Sequence, residues 1–449
     1  MALFETFTPW SFFVDLGLIS LLLLVGQVLR SKVKLIQRMF IPSSLIAGVL
    51  GLAFGPNGLG WLPFSGELGT YSAILIALVF AALPLSSSNA PLKEVVRKTG
   101  PIWAYAQLGL LLQWGIVGLF GLFVVNMIWP DLHPAFGMMF PTGFYGGHGT
   151  AAAVGAAFEG LDWEEARSLG MMTATMGVIC AIGGGLIFIK WATRHKQTAI
   201  ISDFNELPDE LRSGLVPESK RTPIGKATTS SISIDSLTFH LALVCFAALL
   251  GYLCSRGVKS YFPMLELPVF SCAFVFGLLM KKVLDATRVS KYICEQTTQR
   301  IGSTCTDLLV AFGVASIKLS VIVKYAVPLI VLLVVGTLIV FLITFYFGRR
   351  LSHNYWFERT IFAWGWWTGT MALGIALLRI VDPKLSSKTM EDYALAYLPI
   401  APLEIALITF MPILFTNGMG VWLLVGCLVL AAITILIAWL MKWFVPRKK

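Results

Sequence analysis

Gly143-Phe144-Tyr145-Gly146-Gly147-His148-Gly149-Thr150-Ala151-Ala152-Ala153-Val154-Gly155 lies between long apolar segments and is too rich in glycine to make a stable helix in water. Non-helical backbone cannot face lipid, because each unpaired N–H or C=O there costs several kcal/mol. It is tolerated where protein buries it or where it lines a wet cavity, and bare glycine backbone then leaves amide and carbonyl dipoles free to meet a solute. The stretch therefore reads as the tip of a re-entrant hairpin over about 135–160 and as half of a translocation site. The structural alternative is a close-packed glycine face between two spanning helices.

Composition agrees with a membrane setting. The chain is 57% hydrophobic and 13% charged, with a mean hydropathy of +0.80, which describes an all-α polytopic membrane protein and excludes soluble enzyme classes. The net charge of +10 is no sign of nucleic-acid affinity, because Lys and Arg collect in short loops, as membrane orientation requires. The seven cysteines are scattered through apolar segments without a Cys-x-x-Cys pair, so neither a disulfide framework nor a zinc site is supported. Ser11 to Leu29 has no basic segment before it and reads as a retained helix rather than a signal peptide.

Apolar runs of spanning length fall near 11–29, 40–56, 70–90, 101–129 and 166–189. A hydrophilic linker follows at 191–233, and its mixed charge predicts a flexible tether. Further runs lie near 235–255, 265–280, 302–323, 326–347, 393–415 and 419–445, with a second glycine- and aromatic-rich stretch at about 357–380. The two halves resemble each other. Ile41-Pro42 before Gly51 matches Leu267-Pro268 before Gly277, and Pro101 matches Pro328. Gly149-Thr150-Ala151-Ala152 matches Gly369-Thr370-Met371-Ala372, with Asp162 and Asp382 at the same offset. Matches in the same order indicate a duplicated unit. The predicted organisation is a first repeat at 1–190, the cytoplasmic linker, a second repeat at 234–415, and an extra C-terminal helix with a basic tail at 416–449. Each repeat would hold about five spanning helices and one re-entrant hairpin.

Five crossings are an odd number, so the repeats must be inverted. An outside N-terminus puts Arg30 to Arg38, Lys93 to Lys98, the basic residues of 190–226, Lys281 to Arg300, and Arg349, Arg350, Arg359, Lys384 and Lys388 in the cytoplasm. Only Arg167, Arg256, Lys259, Lys318 and Lys324 fall outside. The basic end, Lys442 to Lys449, is also cytoplasmic if Asn417-Gly418 separates two spanning helices, which gives about eleven spans. One hairpin then enters from each side, and their tips can meet near mid-membrane.

The order of elements, the Gly146-Gly147-His148-Gly149-Thr150 tip and the Ile-Pro and Leu-Pro helix starts resemble the glutamate:sodium symporter family, from about Phe40 to Pro412. The resemblance implies a sodium-coupled carrier of the bacterial cytoplasmic membrane with inverted halves and opposed hairpins, similar in fold to the 2-hydroxycarboxylate carriers and working as a homodimer. Two features depart from the family pattern: the second tip reads Gly365-Trp366-Trp367-Thr368-Gly369-Thr370, and there is an extra C-terminal helix.

A glutamate-like substrate needs donors for its carboxylates and a partner for its ammonium group. Candidates for the substrate are Gly147, His148, Gly149 and Thr150 at the first tip, Thr368, Gly369 and Thr370 at the second, and Arg379, whose guanidinium fork suits a carboxylate. The structural alternative for Arg379 is an ion pair with Asp382, and for the threonines a bond to their own i−4 carbonyls. His148 is either a proton-coupling group or a hydrogen-bonded element of the turn. Ser88, Asn89, Asp307, Ser316 and Glu404 offer oxygen atoms for Na⁺ as the coupling ion. Asp15 reads as interfacial. Trp364, Trp366 and Trp367 would either shape the site or pack.

The resulting reading is a sodium-coupled symporter of glutamate or a related acidic amino acid or dicarboxylate, embedded in lipid, with no organic cofactor and no nucleic-acid partner. Rivals are a proton- or sodium-coupled carrier of another organic anion and, from another class, an anion channel. An enzyme is excluded, because His-Glu-x-x-His is absent and no catalytic constellation gathers around the tips.

Overall fold

A computed structural model describes residues 7–38, 41–86, 92–199, 213–230, 232–261, 267–382, 385–397 and 399–445. The described residues form helices and turns with no strand. The main helices are α1 (Pro9–Lys32), α2 (Ser43–Phe54), α3 (Leu68–Leu85) and α4 (Leu92–Leu112), the last prolonged through two π-turns to Ile128. The first hairpin is α5 (Met139–Phe144) and α6 (Gly147–Glu159), followed by α7 (Glu165–Arg194). Then come α8 (Ser236–Tyr261), α9 (Val269–Ala286), α10 (Glu295–Ala315), α11 (Leu319–Lys324) and α12 (Ala326–Leu351). The second hairpin is α13 (Trp356–Thr368) and α14 (Met371–Val381), followed by α15 (Thr389–Tyr397), α16 (Ala401–Thr416) and α17 (Gly420–Leu440).

Burial patterns show what these helices face. α1 buries Ser11, Asp15, Ile19, Leu22 and Gly26, a single stripe at helical spacing, while Leu21, Leu24 and Val28 stay exposed. α12 buries Leu329, Leu332, Gly336, Val340 and Ile343 and exposes Val327, Ile330, Val334, Leu338 and Leu342. Helices that are apolar both inside and outside are membrane helices, because water would penalise the outer face.

Among the described residues, seven helices are long and apolar enough to cross: α1, α3, α4 from Thr99 onward, α7, α8, α12 and α17. The remaining expected crossings miss this standard for identifiable reasons. α2 has 12 residues, about 18 Å of rise against a core of about 30 Å, and α16 has 16. α9 carries Lys281, Lys282 and Asp285 near its end, and α10 carries Glu295, Arg300 and Asp307. Boundaries shift as well. α10 begins at Glu295, not near 302, and the run expected at 393–415 is broken between α15 and α16, where Pro399 and Pro402 cannot sustain helical hydrogen bonding.

Two packing groups emerge. In one, α3 and α10 run antiparallel in contact, α2 packs on α10 and α9 on α3, α1 covers α2 and α8 covers α9. Its cores are Ile19, Leu22, Phe64, Tyr71 and Phe312 on one side and Ala77, Ala81, Val244, Ala247 and Ile301 on the other. The second group gathers α4, both hairpins, α7, α12, α15 and α17 around one large core.

Asp15 is structural. Its carboxylate is 1% exposed and accepts the Ser65 amide at 2.9 Å, the Ser65 hydroxyl, and the Tyr71 hydroxyl at 2.8 Å. Asp15→Ala leaves these donors, Tyr71 among them buried, without their acceptor and is expected to cost about 3 kcal/mol. A clear fall in the thermal unfolding midpoint of the detergent-solubilised protein checks this; an unchanged midpoint overturns it.

Candidate functional site

The glycine-rich stretch is more helical than its composition predicts. Gly147–Glu159 is a regular helix, because burial supplies the stability that glycine withholds in water. The break shrinks to Tyr145-Gly146, with Gly147 at φ +63°. The second hairpin breaks at Gly369, and Thr370 caps α14 by accepting the Leu373 amide at 3.3 Å.

The two breaks meet. A Cβ on Gly147 would lie 2.9 Å from the Gly369 carbonyl oxygen and 3.4 Å from Thr370 Cγ2. The N-terminal ends of α6 and α14 therefore converge, each carrying unpaired amides and the positive end of a helix dipole. Two such ends facing one point make an anion-favouring locus. Of the residues singled out in the sequence, Gly147, Gly369 and Thr370 come together here.

The others sort differently. His148 is buried, and its Nε2 lies 3.1 Å from Thr175 Oγ1, whose hydroxyl donates to the Met171 carbonyl. The histidine thus ties the turn to α7. Gly149 faces Ile76 of α3. Thr150 is buried beside Gly146. Thr368 is fully buried and donates to the Trp364 carbonyl at 2.6 Å, so its hydroxyl is spent on its own helix.

Arg379 does not join the tip. Nine residues separate it from Thr370, which is about 13 Å along the axis and about half a turn around it. Asp382 is not its partner, because that carboxylate accepts the Ser386 and Ser387 amides at 2.9 and 2.8 Å. Arg379 Nε is buried and has no hydrogen-bond partner among the described residues.

The sodium candidates also separate. Ser88 and Asn89 lie outside the described residues. Asp307 and Ser316 sit nine residues apart, also about 13 Å along α10, so one ion cannot take both. Ser316 donates to the Gly313 carbonyl at 2.8 Å. No cluster of three or more His, Cys, Asp or Glu residues occurs among the described residues. Glu404 is different. It is 8% exposed in the first turn of α16, accepts the Tyr397 hydroxyl at 2.8 Å, and has no Lys or Arg partner among the described residues.

Sequence reasoning missed what surrounds Glu404. Tyr145, at the first tip, interacts electrostatically with Glu404, and its buried hydroxyl has no partner among the described residues. The Tyr145 ring lies 6.3 and 6.4 Å from those of Trp366 and Trp367, and Trp366 packs edge-on against Tyr397 at 5.1 Å. The tryptophans therefore form the wall between the tip and the carboxylate. Trp364 packs away from it, donating to the Ala181 carbonyl. No signal in the sequence joins Tyr145, Trp366 and Tyr397, which come from three separate elements. The Arg167 clamp was likewise unread: its guanidinium pairs with Glu159 at the end of α6 and donates to the Gly69 carbonyl of α3, bridging the two packing groups.

The first hairpin and the first helix of the second lie within a longer match: a sequence model described as the sodium/glutamate symporter covers residues 12–371. The chain belongs to the sodium/glutamate symporter family. That family consists of symporters, not enzymes. The sodium/glutamate symporter of Escherichia coli K12 is 25% identical over 346 residues, covering 75% of this chain and 80% of the relative. That of Haemophilus influenzae is 22% identical over 336 residues, covering 73% and 77%. The family match ends at Met371, so it includes both sides of the tip contact but excludes Arg379 and Glu404.

Proposed function

We propose that this protein is a multi-pass carrier of the bacterial cytoplasmic membrane that couples Na⁺ entry to uptake of glutamate or a related acidic amino acid or dicarboxylate. The observation that carries this reading is the meeting of two helix N-termini at Gly147 and Gly369–Thr370, beside a buried carboxylate with no Lys or Arg partner among the described residues. The opposed amides receive a substrate carboxylate, and Glu404 with its aromatic wall holds the positive charge that travels with it, Na⁺ or the substrate ammonium. The names of the relatives support sodium and glutamate as the pair.

The packing supports an inverted duplication. Exchanging α1, α2 and α3 with α8, α9 and α10 turns the contacts α1–α2 and α2–α10 into α8–α9 and α9–α3, and leaves α3–α10 unchanged. In this reading the two repeats, including the shorter and more polar helices, and the extra helix α17 make about eleven spans. The N-terminus lies outside, the C-terminus lies in the cytoplasm, and the unit works as a homodimer.

Uptake of labelled glutamate into proteoliposomes tests the reading. Accumulation is expected under an inward Na⁺ gradient and not under a proton gradient alone. Accumulation of other carboxylates in place of glutamate would shift the substrate, and flux that neither gradient drives uphill would favour a channel.

A further inference from the structure

α10 exposes a face that lipid cannot accept. Gln296, Gln299, Arg300, Ser303, Thr304 and Asp307 recur at helical spacing along one side, and all are exposed. The Ser44 hydroxyl hydrogen-bonds Asp307, and no ion pair engages Arg300 or Asp307 among the described residues. A mid-helix charge in hydrocarbon costs at least about 2.5–3.5 kcal/mol, and six polar side chains on one lipid-facing stripe multiply the penalty. α3, which packs against α10, has no charged residue between Leu68 and Leu85, so the polar face is not a general feature of this pair.

The stripe ends at mid-helix. Beyond Asp307, α10 buries Leu309, Ala311, Phe312 and Gly313, where Ser72 of α3 donates to the Leu309 carbonyl. The opposite end opens into a cavity of about 560 Å³, with Thr222, Pro223, Ile224 and Lys226 of the linker on one wall and Gln296, Gln299, Arg300 and Ser303 on the other. This part of the linker is no free tether. The Lys226 amide donates to Cys294 Sγ at 3.3 Å, the Cys294 amide donates to His240 Nε2 at 2.8 Å, and Gly225 packs against Thr297. The outer ends of the two packing groups are joined, by Arg167 to the Gly69 carbonyl and by the Lys318 amide to Ser168 Oγ at 3.1 Å.

We propose that this face of α10 and linker residues 222–226 enclose a water-filled cytoplasmic vestibule, with Arg300 and Lys226 drawing small carboxylate anions. A dead-ended polar stripe, a cavity at its mouth and a hydrophilic lid fastened over it describe a wet entrance, not a lipid surface. The cytoplasmic side rests on the orientation given under the proposed function.

Site-resolved thiol labelling tests this. Ser303→Cys and Thr304→Cys, in inverted membrane vesicles, are expected to react with a charged, membrane-impermeant maleimide. Ser219→Cys in the exposed linker serves as the reporter of sidedness. Leu338→Cys, on the lipid face of α12, is expected to react at least about tenfold more slowly, because a thiol in hydrocarbon stays protonated. Ala311→Cys, past the end of the stripe, is expected to stay unlabelled. No reaction at 303 and 304 from either side overturns the vestibule, as does reaction only from the side opposite Ser219→Cys. Joining of two copies through Ser303→Cys by a short crosslinker also overturns it and makes the stripe a subunit interface. Labelling needs no transport, so failure of glutamate uptake would sink the transport reading and leave this result standing.

Discussion

Gly147→Val is expected to cut sodium-driven glutamate uptake at least about thirtyfold while the protein still reaches the membrane. Gly147 has φ +63°, a conformation that costs an L-residue about 1–2 kcal/mol. The added Cβ would also sit 2.9 Å from the Gly369 carbonyl oxygen, so the tips cannot close to their present distance. A combined cost of about 2 kcal/mol shrinks the population with correctly opposed helix ends by about thirtyfold. Gly183→Val is the control, since nothing lies within 4 Å of a Cβ there, and near-normal uptake is expected. Normal uptake by Gly147→Val would show that the meeting of the tips is packing alone.

Glu404→Gln is expected to abolish sodium-driven accumulation and sodium-dependent stabilisation together. Gln preserves the volume and can still accept from Tyr397, so only the charge is removed. A cation in this buried position gains about 3 kcal/mol or more from a carboxylate, so apparent sodium affinity should fall by about two orders of magnitude. Ligand binding to the folded state raises its stability, so the wild-type unfolding midpoint should climb with Na⁺ while that of Glu404→Gln stays flat. A variant that keeps its sodium-dependent shift would remove Glu404 from the cation site. Persistence of uptake without Na⁺ dependence would instead assign Glu404 to coupling and not to substrate.

Part of the site was legible in the chain itself. Dense glycine marks both breaks, because it permits the backbone to leave the helix, although of the matched pairs Gly369-Thr370 sits at its break while Gly149-Thr150 lies inside α6. Spacing along a helix was legible too: nine residues put Arg379 on the far side of α14 from Thr370, and the same count separates Asp307 from Ser316. The polar stripe of α10 is equally present in the sequence as a 3–4 pattern, of which only Asp307 stands out when residues are taken singly.

By itself, the sequence determined the membrane class, the existence of two glycine breaks and the family, because apolar length, backbone freedom and motif order are local properties. Only the tertiary structure decided that Gly147 touches Gly369, that Asp15 is held by Ser65 and Tyr71, and that Tyr145, Trp366 and Tyr397 gather around Glu404. Those contacts join residues far apart in the chain, and which helix face meets which follows from packing that no single segment specifies. The same packing overruled composition at Gly147–Glu159, where burial among neighbouring helices stabilises a helix that water would melt.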